Sequence, residues 1–317
     1  MLIDGIWHDR WQSTEETDNK GRFVRATSSV RNWITVDGRA GATGEGGFAA
    51  AAGRYHLYVA LICPWACRTL MARRLLGLES AISVSVVNPR LTEQGWAFGG
   101  FAGATEDHLY GARHLHEIYT RHDKHFTGGV SVPVLWDKER DCMVNNESAD
   151  ILRMLGQGFT ALSAKNAPQL YPAQHAAEIE SWNQRIYTQL NNGVYRAGFA
   201  RSQQAYDEAY RDVFTVLDEL EARLGERSYL VGDQLSEADI RLFVTLIRFD
   251  AAYYGLFKCN RQPLATFPQL WAYVKRIYAL PGVAATVNFD HIKRGYYGLL
   301  TLNPSGIVPN GPSLNLN

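Results

Sequence analysis

The chain has 317 residues, 46% of them hydrophobic and 20% charged, which is enough for two folded domains and gives no sign of disorder. Its formal net charge is +0, so no global field exists to attract nucleic acid or an anionic membrane, and we expect neither as a partner. The N-terminus lacks a basic region followed by an apolar core, and no stretch approaches the ~20 apolar residues of a membrane span. We therefore predict a cytoplasmic protein.

Residues 1–50 contain aromatic residues but show little periodicity, and we predict that they form an extension lying over a core. The glycine-rich stretch at 41–47 resembles a dinucleotide-binding loop only superficially, because no strand precedes it and the G-x-G-x-x-G spacing fails. A flexible loop is the favoured interpretation. The aromatic residues of the extension are Trp7, Trp11, Phe23 and Trp33.

Residues 51–165 begin with a predicted strand, a helix and a second strand. An alternating run of β-branched and aromatic residues at 55–61 predicts a strand, and the apolar spacing at 65–77 predicts a helix. A second strand is predicted at 82–87, before a long insertion.

The second half of this domain is predicted from a hairpin and a helix. Two short strands, at 132–136 and 142–144, flank a charged turn, and a helix follows from about residue 147. This order, with a cysteine after the first strand, fits a thioredoxin-like domain, in which the pair Val132-Pro133 supplies a cis peptide. We then expect the backbone of Val132 to face Cys63.

Cys63 lies at the junction of the first predicted strand and helix, and it is the best candidate for chemistry. Pro64 fits the first helical turn, and the free backbone donors there favour an anionic sulfur. A small buried hydrophobic residue is the less favoured alternative. Cys67 lies one turn further on the same face, where a disulfide to Cys63 is conceivable but strained. No Cys-x-x-Cys pair suggests zinc or a dithiol redox site, and the other cysteines are expected to be packing residues.

Residues 170–287 are predicted to form an all-helical domain. Ser236 and Asp239 make a capping box, which indicates a folding constraint rather than chemistry. The tail at 288–317 is rich in Gly, Pro and Asn, is predicted to have little regular structure, and is expected to pack back on the body. The clearest helical segments are 176–190, 206–224, 237–254 and 268–279.

Taken together, these features resemble the cytosolic glutathione transferase superfamily over nearly the whole chain. The motif Cys63-Pro64-Trp65-Ala66 looks like that of its Xi class, the glutathionyl-hydroquinone reductases, and residues 191–200 are similar to the signature of that class in the helical domain. The match is extended by residues 257–260, 291–297, 303–304 and 306–309. The resemblance implies a thioredoxin-like domain followed by a glutathione-transferase helical domain, glutathione as co-substrate, and a homodimer.

The resemblance also implies roles for individual residues. Cys63 attacks the glutathione sulfur of a glutathionyl-hydroquinone, a second glutathione resolves the mixed disulfide, and Tyr195 and Tyr296 assist the proton movements. No metal is implied. The implied binding residues are Trp96, Val132, Glu147 and Ser148 for glutathione, and Trp65, Tyr253 and Tyr297 for the aromatic substrate.

Each of these assignments competes with a plainer one. Glu147 and Ser148 are also suited to helix capping, the tyrosines to packing, and Trp96 to a core position. Histidines 108, 114, 116, 122 and 125 lack established ligand spacing, which favours a solvated surface over a metal site. For function, the alternatives are an omega-like glutathione thiol transferase or dehydroascorbate reductase that uses the same cysteine, and a non-catalytic ligand-binding module.

Overall fold

The structure is a computed structural model that describes residues 1–9 and 15–316. Trp11 of the predicted extension lies outside these residues. The described part of the chain forms two compact units. The first unit contains residues 1–9, Ala26–Ala167 and Thr286–His291, and the second contains Glu15–Arg25, Pro168–Ala285 and residues 292–316.

Strands are concentrated in the first half of the described chain. In order they are β1 (Leu2–Ile3), β2 (Ile6–Trp7), β3 (Glu15–Thr17), β4 (Phe23–Arg25), β5 (Tyr55–Val59), β6 (Ile82–Thr92), β7 (Gly95–Phe98), β8 (Val134–Asp137) and β9 (Cys142–Asn145).

Helices dominate the second half. In order they are α1 (Pro64–Leu75), α2 (Leu115–His122), α3 (Ser148–Gly158), α4 (Ala176–Ile186), α5 (Gly193–Gly198), α6 (Gln203–Glu226), α7 (Glu237–Arg248), α8 (Pro268–Tyr278) and α9 (Phe289–Tyr296). Two π-helical turns, Tyr187–Asn191 and Phe249–Tyr253, continue α4 and α7. The expectation of little regular structure in the tail is wrong for its first residues, because α9 lies there and is held by burial of Ile292 and Tyr296. No helix among the described residues combines the length and the apolar character that crossing a membrane requires.

The first unit is built around a five-stranded sheet in the order β7-β6-β5-β8-β9. β5 and β6 run parallel, and each of the other pairings in this sheet is antiparallel. Every residue of β5 and β8 is buried, as expected of central strands that are covered on both faces. With α1 following β5 and α3 following the β8–β9 hairpin, this is the thioredoxin-like order that the sequence predicts.

One polar side chain is enclosed between the central strands. The ring nitrogens of His56 on β5 lie 2.7 Å from the Ser83 Oγ and 3.0 Å from the Ser85 Oγ, both on β6. Burial lowers the pKa of His56 to about 3. The imidazole is therefore neutral at physiological pH, and both of its nitrogens are used to join β5 to β6.

The second unit is helical, as predicted. α6 buries one face, with Val213, Leu217 and Leu220 fully enclosed. The capping box predicted at the start of α7 is present, since Ser236 donates its backbone N–H to the Asp239 carboxylate at 2.9 Å. This capping box fixes the register at which the helix begins.

The predicted N-terminal extension is divided between the two units. Residues 26–50 group with the sheet unit, whereas the β3–β4 hairpin (Glu15–Arg25) groups with the helical unit. Arg22 accounts for the second grouping, because its Nε donates to the Glu208 carboxylate of α6 at 2.8 Å and its Nη2 at 3.1 Å. Arg25 adds a hydrogen bond of 2.8 Å from its Nε to the Asn192 Oδ1.

Candidate active site

Cys63 is the N-cap residue of α1. Its backbone is extended, with φ −76° and ψ 118°, and Pro64 opens the helix. The Ala66 N–H donates to the Cys63 sulfur at 3.5 Å, so the sulfur accepts one of the backbone donors that a helix start leaves unpaired. A thiolate at this place is favoured by that donor and by the positive end of the helix dipole.

Val132 faces the same sulfur. The Val132–Pro133 peptide is cis, as predicted, and the Cys63 thiol donates to the Val132 carbonyl oxygen at 3.8 Å. The side chain of Val132 is buried. The expected approach of this backbone to the thiol is therefore present in the first unit.

The other cysteines occupy different environments. All four cysteines lie within the described residues, and each is a thiol rather than half of a disulfide. The Cys67 thiol donates to the carbonyl oxygens of Leu61 and Thr286, both at 3.6 Å. Burial raises the pKa of Cys142 and of Cys259, and Cys259 is fully enclosed. None of these three has the helix-cap position of Cys63.

Glu147 and Ser148 lie at the start of α3. The Glu147 carboxylate accepts the Ala149 N–H at 3.0 Å, which is the capping role that competes with glutathione binding. It also accepts the Ser28 hydroxyl at 3.0 Å. Glu147 is half-buried, whereas Ser148 is 3% exposed.

A buried arginine that the sequence analysis missed connects α1 to α3. Arg68 is 1% exposed, its Cζ lies 4.5 Å from the Trp65 ring centroid, and its Nη1 donates to the Ser148 Oγ at 3.4 Å. Trp65 and Arg68 are three residues apart on α1, a spacing that places them on one face of the helix and could have indicated the contact. The guanidinium thus links two predicted site residues and adds positive charge beside Ser148.

Trp96, the remaining predicted glutathione-binding residue, lies on β7. It is 8% exposed and pairs with Leu91 across the β6–β7 hairpin. This placement is that of a largely enclosed aromatic residue at one edge of the sheet.

Three predicted tyrosines come together in the second unit. The Tyr195 hydroxyl lies 2.6 Å from the Tyr296 hydroxyl, which in turn lies 2.9 Å from the Tyr253 hydroxyl. We call this set the phenol cluster. Tyr195 is partly exposed, whereas Tyr253 and Tyr296 are buried. The cluster therefore has one accessible end and two enclosed members.

Burial controls the ionisation of the enclosed phenols. It raises the pKa of Tyr253 and of Tyr296 well above the usual tyrosine range, and the Tyr195 phenol beside them adds to both increases. Both hydroxyls therefore stay protonated at neutral pH and can each donate one hydrogen bond.

Tyr297 is not a member of the phenol cluster. It is partly buried, burial raises its pKa, and its carbonyl oxygen accepts the Asn303 side-chain N–H at 2.7 Å. The same amide donates to the Ile307 carbonyl at 3.0 Å, so Asn303 folds the tail back towards α9.

Comparison with known proteins identifies the family. The family model described as glutathione S-transferase, N-terminal domain, matches residues 62–157, and that described as glutathione S-transferase, C-terminal domain, matches residues 203–276. The chain is 51% identical to the glutathionyl-hydroquinone reductase YqjG of Escherichia coli, over 100% of this chain and 96% of that protein. It is also similar to the crystal structure of the glutathione transferase Xi of Phanerochaete chrysosporium, with 42% identity, a TM-score of 0.89 and coverage of 95% and 96% of the two chains. This chain belongs to the Xi class of the glutathione S-transferase family.

Two further similarities extend this result. The Xi-class chain is 46% identical to the glutathionyl-hydroquinone reductase PcpF of Sphingobium chlorophenolicum, over 99% of this chain and 96% of that protein. The glutathione-bound structure of E. coli YqjG superposes with a TM-score of 0.91 at 49% identity, covering 100% of this chain and 97% of that one. The predicted pairing of a thioredoxin-like domain with a glutathione-transferase helical domain is confirmed.

Contacts made by Asn191 and Gly198 explain why these residue types occur in the 191–200 segment. The Asn191 amide donates to the Arg241 carbonyl and the Thr245 hydroxyl of α7, at 2.9 and 2.7 Å. A Cβ at Gly198 would lie 2.4 Å from the Phe257 ring, so only glycine fits there. These contacts fix α5, which carries Tyr195, against its neighbours.

The histidines of the 108–125 segment are occupied by local contacts. His116 stacks between Trp7 and His114, with ring centroids 4.9 and 5.3 Å apart. His122 accepts the Met143 N–H at 3.2 Å, and His125 pairs with Asp4 at 2.7 Å. His108 is exposed, with its Nδ1 3.0 Å from the Val84 carbonyl oxygen.

Proposed function

We propose that this Xi-class transferase reduces S-glutathionyl-hydroquinones to hydroquinones, with glutathione as the reductant. The observation that carries the proposal is a cysteine, rather than a serine or tyrosine, at the N-cap of α1, with its sulfur accepting the Ala66 N–H. A hydroxyl there could only stabilise the thiolate of glutathione, whereas a cysteine can itself attack sulfur. The names of the E. coli and Sphingobium relatives support the same activity.

In the first step, the Cys63 thiolate attacks the glutathione sulfur of the conjugate. The aryl C–S bond breaks as the S–S bond forms, so the Cys63 sulfur and the glutathione sulfur are together oxidised by two electrons to a disulfide, and the aromatic fragment takes the bonding electron pair. The ring reacts as its keto tautomer, with a proton on the carbon that bears sulfur, so the electron pair leaves onto a phenolate oxygen. The products are the hydroquinone and a Cys63–glutathione disulfide.

In the second step, another glutathione thiolate attacks the glutathione sulfur of that disulfide. Oxidised glutathione leaves, and the Cys63 thiolate is regenerated. One conjugate and one glutathione thus give one hydroquinone and one oxidised glutathione. Glutathione is the co-substrate.

The phenol cluster is assigned the proton movements. Forming the keto tautomer moves a proton from a ring hydroxyl to a ring carbon, which needs a group that both accepts and donates. Tyr195, the accessible member, is proposed to exchange that proton with the substrate. Tyr296 and Tyr253, buried and neutral, hold its hydroxyl in position.

The start of α3 is assigned the γ-glutamyl end of glutathione. The Glu147 carboxylate suits an ammonium group, and the Ser148 hydroxyl with the helix N-terminus suits a carboxylate. The Val132 backbone suits the cysteinyl part, since its carbonyl already faces Cys63. Trp96 is assigned to the glycyl end, and Trp65 and Tyr297 to the walls of the aromatic site.

We also propose that the protein is a cytoplasmic homodimer. Its cysteines are thiols, which suits a reducing compartment, and the Xi-class relationship favours a dimer. Sedimentation equilibrium tests the assembly, and a mass equal to that of one chain at all concentrations contradicts it.

The activity is tested by following hydroquinone release from a glutathionyl-hydroquinone in the presence of glutathione. We expect Cys63→Ala to lose turnover by at least about a thousandfold, because the bond-forming atom is removed. Cys67→Ala is the matched control, one helical turn away, and should retain turnover. Equal turnover by wild type and Cys63→Ala contradicts the proposal, and a faster reaction with dehydroascorbate would favour the omega-like alternative.

A further inference from the structure

Arg25, on the second strand of the N-terminal hairpin, packs on the ring of Tyr195. Its Cζ lies 4.6 Å from the Tyr195 ring centroid and 5.2 Å from the Phe23 ring centroid. Its Nε donates to the Asn192 Oδ1 at 2.8 Å. Asn192 precedes Tyr195 by three residues, so one segment of the signature both carries the phenol and holds the cation.

Tyr195 is therefore engaged at two places. Its hydroxyl meets the Tyr296 hydroxyl at 2.6 Å, and one face of its ring meets the guanidinium. Phe257 packs against the ring as well, with centroids 5.4 Å apart. The ring is held between a charged group and apolar groups, with its hydroxyl directed to a second phenol.

Charged and titratable groups surround Tyr195 from several elements. Arg25 faces it from β4, Tyr253 from the π-helical turn after α7, and Tyr296 from α9. Arg248 of α7 acts electrostatically on Tyr253 and Tyr296. On α5 itself, the neighbouring Arg196 is paired with an aspartate of α6 at 2.8 Å. Arg25 thus places a positive charge in direct contact with the ring of Tyr195.

We propose that Arg25 is a positioning residue for Tyr195. Its guanidinium, on the face of the Tyr195 ring, orients the phenol and favours the ionised form of that phenol. The negative charge of a phenolate spreads into its ring, so a cation on the ring face stabilises the phenolate more than the neutral phenol. A phenol that gives up its proton more readily is a better acid towards the substrate and a stronger hydrogen-bond donor. The inference rests on the proposed role of Tyr195, and it assigns a function to a part of the N-terminal segment.

The first test needs no substrate. Phenolate absorbance is followed with pH in the resting protein, and the curve of Tyr195→Phe is subtracted to isolate Tyr195. We expect Arg25→Gln to move the Tyr195 midpoint upward by roughly half a pH unit. Arg25→Lys, which keeps the charge without the planar fork, should recover part of that shift.

The second test uses turnover. We expect Arg25→Gln to lower kcat about two- to fivefold in the wild-type background. In the Tyr195→Phe background the same substitution should lower kcat by much less, because the phenol that Arg25 acts on is absent. Arg22→Gln is the matched control from the same hairpin. It breaks the ion pair with Glu208 and should leave the Tyr195 midpoint unchanged.

The outcomes distinguish a failure of the role inferred for Arg25 from a failure of the proposed function. Equal midpoints in Arg25→Gln and Arg22→Gln, or equal losses of turnover in the presence and absence of the Tyr195 hydroxyl, would overturn the inference. So would full turnover by Tyr195→Phe. If the wild type releases no hydroquinone but Arg25→Gln still shifts the midpoint, the proposed function fails while the effect of Arg25 on the phenol stands.

Discussion

At the scale of single residues, the reactivity of each cysteine depends on the hydrogen bonds that its sulfur makes. Cys63 and Cys67 are one helical turn apart, and both thiols donate to backbone carbonyl oxygens, but the Cys63 sulfur also accepts the Ala66 N–H at the helix start. That accepted hydrogen bond, together with the positive end of the helix dipole, favours the Cys63 thiolate. The same residue type is thus directed to nucleophilic chemistry at one position and to packing at the next turn.

This contrast predicts selective alkylation. With limiting iodoacetamide at neutral pH, we expect Cys63 to be modified before the other thiols. Burial raises the pKa of Cys142 and Cys259, and Cys67 is only 2% exposed. Peptide mapping gives the site of modification. Cys63→Ala should remain unlabelled over the same time, and early labelling of Cys142 instead would contradict the assignment.

His56 makes a prediction about acid stability. Its pKa is lowered to about 3 in the folded protein, against ~6.5 for an unfolded chain. Between these values the unfolded state binds a proton that the folded state does not, so stability falls as the pH falls below ~6.5. From pH 6.5 to 5 the loss from this one group is about 2 kcal/mol.

The measurement is the free energy of unfolding of wild type and His56→Gln at several pH values. We expect the variant to be less stable near pH 7, because it loses ring contacts with Ser83 and Ser85, and the gap to narrow by about 2 kcal/mol at pH 5. A gap that stays constant with pH would show that His56 does not resist protonation in the folded state.

At the scale of elements, the capping box of α7 is important for stability, because one buried carboxylate in it accepts several hydrogen bonds. The Asp239 carboxylate is buried and accepts the Leu230 N–H at 2.8 Å, the Ser236 N–H and hydroxyl, both at 2.9 Å, and the Tyr273 hydroxyl at 2.9 Å. Its removal leaves several buried donors without an acceptor. We expect Asp239→Ala to lose about 3 kcal/mol in urea unfolding. The exposed Asp233, in the loop before α7, is the control, and its alanine variant should change stability by less than about 0.5 kcal/mol.

Several elements could be predicted from the sequence because their signals are local. The start of α1 follows from Pro64, the capping box from Ser236 and Asp239, and the approach of Val132 to Cys63 from the thioredoxin-like strand order. Each of these features depends on a few adjacent residues or on the strand order.

The contacts between distant segments could not be predicted in the same way. Arg25 and Asn192 are 167 residues apart, and Ser28 and Glu147 are 119 apart. The β3–β4 hairpin is short and lacks periodicity, so nothing local indicates that it joins the helical unit. Its grouping depends on side-chain pairs that form only after the chain has folded.

At the scale of the whole molecule, the proposed reaction consists of two steps that both pass through Cys63. The hydroquinone leaves before the second glutathione reacts, which predicts ping-pong kinetics. Initial rates measured against one substrate at several fixed concentrations of the other should give parallel double-reciprocal lines. Intersecting lines would indicate that both substrates must be bound before either product leaves.

The central claim is that the Cys63 sulfur, rather than that of bound glutathione, makes the attack. Intact-protein mass spectrometry, after one equivalent of glutathionyl-hydroquinone is added without free glutathione, tests this directly. We predict a gain of one glutathione, mapped to Cys63 and reversed by added glutathione, with Cys67→Ala behaving like wild type. Hydroquinone release without any adduct on Cys63, or an adduct that persists in Cys63→Ala, would contradict the account.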